Sequence, residues 1–168
     1  MRSITRAALI GAAALPLAMA APSLASASTA TDVTFAYSAS GSTVSNTITN
    51  NSGTPLQCIT GLAPAPGGVL PPIEDTIGSG QTIYESGVIP TGTTVQTVTD
   101  IPDDSYVVLA SCGSVNEPTS MWVSDYPGLE TYLAMFSYTT YAVQQESWVV
   151  TLPAAGAPAA APGVNFGS

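Results

Sequence analysis

The sequence contains no lysine and no histidine, and its two arginines, Arg2 and Arg6, stand at the extreme N-terminus. All eleven Asp and Glu residues lie beyond Arg6, and the formal net charge is -9. These absences exclude imidazole-assisted nucleophiles, imidazole metal ligands, lysine Schiff bases, arginine phosphate clamps and any basic surface for nucleic acid. No G-x-S-x-G, D-T-G or D-S-G motif is present either, so serine-hydrolase and aspartic-protease chemistry lose their sequence signatures. Beyond Arg6 no side-chain salt bridge can form. The negative field disfavours nucleic acid and anionic lipid and attracts calcium, cationic peptides or cationic surfaces. It also serves solubility in a chain whose mean hydropathy is above zero.

Residues 1–27 read as an export signal. Arg2 and Arg6 form a charged n-region, an apolar stretch runs from Ala7 to about Ala21, and Ala25-Ser26-Ala27 is an A-x-A-like cleavage site. Cutting there leaves Ser28 first; Ala18-Met19-Ala20 is a second candidate site. The apolar run is shorter than the ~20 residues of a membrane span, and Pro16 interrupts it. The mature product is therefore expected outside the cell or in its envelope, without a span and as a monomer.

Export sets the redox setting for Cys58 and Cys112, the chain's two cysteines. An even pair in a secreted chain predicts a structural disulfide, expected to cross the core between two sheets. Such a bond places the Cα atoms roughly 4.4–6.8 Å apart. A redox pair would need close spacing and a cationic neighbour, and neither is present.

Four segments follow: the signal 1–27, a small polar flexible leader 28–31, a domain 32–152, and an Ala/Pro-rich tail 153–168 read as disordered. Within the domain, Val33, Phe35 and Tyr37 alternate with smaller residues, Val44 and Ile48 share a face, and Leu56 and Cys58 point the same way. Further strand signals cover 81–86, 93–99, 105–112 and 146–152. Strands joined by turns alone predict an all-β antiparallel sandwich. One stretch differs. Leu129, Tyr132, Leu133 and Phe136 follow helical spacing, predicting a short helix near 127–137, with two short strands as the alternative.

The segment from Val98 to Cys112 has a P-D-D-S turn, then Tyr106, then apolar residues leading to a cysteine. This pattern, with the run from Asn46 to Cys58, resembles small secreted immunoglobulin-like proteins of actinobacteria with no assigned function. The resemblance implies an Ig-like or prealbumin-like sandwich in which the Tyr106 hydroxyl ties back to the preceding turn. Trp122 and Trp148 both follow Cys112, so the antibody-type tryptophan between the cysteines is missing. Tyr106, Trp122 and Trp148 are read as structural.

Carboxylates are the remaining chemical material. Glu74-Asp75 and Asp103-Asp104 are sequence neighbours whose side chains diverge on extended backbone, whereas hydrolysis needs two acids converging across a cleft. The chain is therefore read as non-catalytic, with a carboxylate hydrolase the least favoured alternative. Asp100, Asp103 and Asp104 fall within one turn and are the candidate calcium ligands, since calcium takes oxygen donors. Turn acids need no metal to explain them, and no other cofactor is expected. Leu152 to Gly156 is similar to the start of a wall-sorting signal, but no apolar span or basic tail follows. The expected role is a binding or structural module for an unidentified protein or envelope component, the alternative being calcium-dependent adhesion.

Overall fold

In the computed structural model, β-branched and aromatic residues alternating with small polar ones build nine strands among the described residues. The structure describes residues 28–115, 120–135, 137, 139–146 and 148–155. Residues 1–27, where the sequence predicts an export signal, Glu117, Phe136 and the tail from 156 onward lie outside the described residues.

Strands β1 (Val33–Ser40), β2 (Thr43–Asn50) and β5 (Gly92–Val98) form a three-stranded antiparallel sheet in the order β1-β2-β5. The second sheet orders β4 (Ile83–Ile89), β3 (Leu56–Pro64), β6 (Ser105–Ser114), β7 (Ser120–Asp125) and β8 (Thr139–Glu146). β9 (Trp148–Thr151) pairs with the first half of β6, and β7 pairs with its second half. The result is an all-β sandwich. Its pairing is not wholly antiparallel, because β7 and β8 run parallel. A parallel pair needs a crossover, and helix α2 (Leu129–Leu133) lies in it, so one strand-helix-strand unit interrupts the expected turn-linked order.

The inward faces follow the predicted parity. Val33 and Phe35 from β1, Ile48 from β2, and Leu56 and Cys58 from β3 pack in one cluster with Trp122. A second cluster joins Val44, Leu62, Val98, Tyr106 and Val108. The strand β6 is buried on both faces, which explains its near-continuous apolar run. Its outer residues Val107 and Leu109 pack beneath Tyr126, Leu129 and Leu133, with Ile73 of the short helix α1 (Ile73–Thr76) beside them. A third, partial layer thus covers part of the larger sheet's outer face.

Cys58 and Cys112 are bonded, but not between sheets. They are register partners on the neighbouring strands β3 and β6, and their Cα atoms are 4.1 Å apart, closer than expected. That distance suits opposed residues on adjacent antiparallel strands, which approach to about 4.5 Å. The helix is real but short: Gly128, at φ 84, starts it and it ends at Leu133, with the following residues leading into β8. Residues 28–31 do not hang free, since Ala30–Asp32 form a 3-10 turn closed by two bonds that the Thr29 amide and hydroxyl donate to the Asp32 carboxylate. The domain also extends past 152, where Ala154 exchanges backbone hydrogen bonds with Gly41.

Candidate functional site

Three side chains meet between the sheets. Asn46 on β2 and Gln96 on β5 are register partners, and Thr60 on β3 faces them. The fixed carbonyl of Cys58 sets the polarity of this chain of bonds. It accepts from Gln96 Nε2 at 3.1 Å, which turns Gln96 Oε1 toward Thr60. The Thr60 hydroxyl donates there at 2.8 Å and accepts from Asn46 Nδ2 at 2.9 Å. Asn46 Oδ1 is then left over, buried without a hydrogen-bond partner.

A second polar link joins the sheets beside it. Ser124 Oγ accepts from the Ala110 amide at 2.7 Å and donates to the Ala110 carbonyl at 3.1 Å. Its one proton is thereby used, so the Tyr37 hydroxyl is the donor in their 2.5 Å contact. Tyr37 stacks on Trp148 at a centroid distance of 6.2 Å, and burial pushes its phenol well above the ordinary tyrosine range. Both links consist of neutral groups held fast. They can position strands, but they offer no ionised base or nucleophile.

The register pair Trp122 and Tyr141, on β7 and β8, stacks at 5.5 Å and grips the start of the domain. Trp122 Nε1 donates to the Thr29 carbonyl at 2.8 Å, and the Tyr141 hydroxyl donates to the Ser28 carbonyl at 2.7 Å.

The turn acids take local partners. Asp100, at φ 57, accepts from the Thr99 hydroxyl at 3.2 Å, and Asp104 accepts from the Ser105 amide at 2.7 Å. Asp103 is exposed. Among the described residues, no three His, Cys, Asp or Glu side chains gather to hold a metal ion. Glu74 and Asp75 fall on α1, where consecutive residues do not face each other. The Tyr106 hydroxyl donates to the Pro102 carbonyl at 3.1 Å, the tie that the turn-tyrosine pattern implied. Burial, then the charges of Asp104 and Asp103, raise its phenol above the ordinary value.

The sandwich has two flanks where sheet edges that are unpaired among the described residues lie side by side. Between β1 and β8 is a groove of about 360 Å³ with Val33, Phe35 and Val143 at its base and Ala30 and Thr31 beside them. Between β4 and β5 a cleft of about 350 Å³ is lined by Thr82 to Glu85 and Thr97 to Thr99. The sequence assigned no role to Asn46, Thr60, Gln96, Ser124 or Tyr141. For Asn46 a signal existed, since it shares the parity of Val44 and Ile48 in an alternating strand. No protein-family model matches the chain, and no curated protein or solved structure is significantly similar to it.

Proposed function

We propose that the chain is exported, loses residues 1–27, and acts outside the cell or in its envelope as a non-catalytic module that binds a positively charged partner. The observation that carries this reading is the placement of charge. Every carboxylate lies beyond Arg6, and no side-chain cation follows it to neutralise them internally. A partner bearing cations gains what the fold itself cannot supply. The disulfide suits an oxidising compartment. The Tyr106 tie to Pro102 supports an immunoglobulin-like architecture, while a disulfide inside one sheet departs from the antibody type.

The test expresses the full chain with a C-terminal tag in a host of the same cell-envelope type. The product is expected outside the cytoplasm, starting at Ser28, with both cysteines oxidised. Used as bait on envelope extract, it should retain a basic partner that an unrelated acidic domain of equal charge does not. Recovery of unprocessed chain inside the cell would overturn the reading.

A further inference from the structure

Edge strands offer unpaired N–H and C=O groups, and proteins guard them with lysine, proline, bulges or an inward-pointing charge. β4 is the terminal strand of the larger sheet, and within Ile83–Ile89 it carries no proline or lysine. Its one charge is Glu85. Glu85 lies opposite Thr60 in register, on the inner side of β4, yet it is exposed beside the cleft next to β5. On the outer side of the same strand, Tyr84 and Val88 are 58% and 56% exposed.

An inward acid at an edge is a selective guard. An uncharged strand pairing there would bury Glu85 without a counter-charge, which is costly. A second copy of this chain fares no better, because beyond Arg6 it has no cation to offer and brings another Glu85. A strand with Lys or Arg at the facing position removes that penalty. Its alternate side chains would then lie over Tyr84 and Val88, the pattern in which main-chain bonds give affinity and alternating side chains give specificity.

We infer that the free edge of β4 (Ile83–Ile89) is a docking site for an extended basic peptide segment of another protein, with Glu85 selecting its cation. The inference rests on reading the chain as a binding module and names where the partner binds.

The test titrates a fluorescein-labelled eight-residue peptide of alternating Thr and Lys into the oxidised exported protein, following anisotropy and backbone amide shifts. Saturable binding is expected, with shifts concentrated at 82–89 and the facing residues 97–99, and weakening in high salt. Methylating alternate backbone nitrogens of the peptide should weaken binding about tenfold or more, since ladder bonds are lost. Glu85→Gln should weaken it about two- to fivefold, the scale of an exposed ion pair. Glu85→Lys should shift the preference to a Thr/Glu peptide, with unchanged melting confirming the fold. Equal binding of the methylated peptide, shifts spread over Glu74, Asp103 and Asp104, shifts on the β1/β8 flank, or no binding would each overturn the inference. Intracellular retention of the chain would end the module reading without altering the titration. A null titration with properly exported protein ends this inference alone.

Discussion

Asn46 and Gln96 face each other across β2 and β5 and share one hydroxyl, that of Thr60, on the opposite sheet. They are not equivalent. Gln96 satisfies both a carbonyl and a hydroxyl, whereas Asn46 supplies one bond and keeps an unpaired Oδ1. Gln96→Leu should therefore destabilise by about 2–3 kcal/mol, because it removes two hydrogen bonds and leaves the Thr60 hydroxyl without its acceptor in the core. Asn46→Leu should lie within about 1 kcal/mol of the parent, because it removes a bond and an orphan together. Chemical denaturation of the two variants measures the difference. Equal losses would mean that Asn46 Oδ1 has a partner in solution.

The disulfide joins strands that already pair, so its removal should weaken the fold without separating the sheets. It closes a sequence separation of 54 residues, worth about 4 kcal/mol in the chain-entropy account. The double variant Cys58→Ala, Cys112→Ala should lose stability on that scale while keeping a strand-rich circular dichroism spectrum. Loss of the strand signal under native conditions would show that the bond holds β3 and β6 together.

The grip of Trp122 and Tyr141 on residues 28–29 predicts that these residues stabilise the β7/β8 side of the sandwich. Tyr141→Phe removes one bond to the Ser28 carbonyl and should lower stability by about 1 kcal/mol. Deleting residues 28–31 should remove that bond and the Trp122 bond together, and should change the Trp122 emission. Once the deletion is made, Tyr141→Phe should have almost no further effect, since the two changes share a partner. An additive loss would place the action of Tyr141 elsewhere.

How far the sequence carried the fold depended on the range of each interaction. Strand parity is local, so the inward positions of Val33, Phe35, Val44, Ile48, Leu56 and Cys58 could be read directly, and so could the turn behind Tyr106. Strands β7 and β8 escaped. Ser120–Asp125 is short, and its pairing with β6 and β8 is long-range, with α2 packed over Val107 and Leu109 between β7 and β8 in sequence. The apolar spacing of Leu129 and Leu133 identified a buried helical face, but not that it would cover a sheet and force a parallel pair. The disulfide was legible as a bond and illegible as a register, because sequence does not say that β3 and β6 are neighbours. Asn46 and Gln96 could have been assigned to the core by parity. Their meeting at Thr60 depends on how the two sheets stack.

The last prediction concerns alkaline pH. Burial raises the phenol of Tyr37 strongly, and raises those of Tyr106 and Tyr126 in the same direction. A group with a raised folded-state pKa keeps its proton in the native protein at a pH where the unfolded chain has lost it. Its stabilising contribution is complete below the unfolded value of about 10 and is lost as pH climbs toward the folded value. Stability should thus be insensitive to these phenols at neutral pH and fall above pH about 10, by up to about 1.4 kcal/mol per pH unit for each phenol still neutral in the fold. Tyr37→Phe separates this effect from general alkaline damage. It should lose about 1 kcal/mol at neutral pH, where the bond to Ser124 is missing, yet show a shallower decline above pH about 10. Denaturation midpoints of parent and variant between neutral and strongly alkaline pH make the comparison. Parallel declines would mean that the Tyr37 phenol ionises in the folded state as readily as in the unfolded chain, and that its burial between Trp148 and Ser124 does not hold in solution.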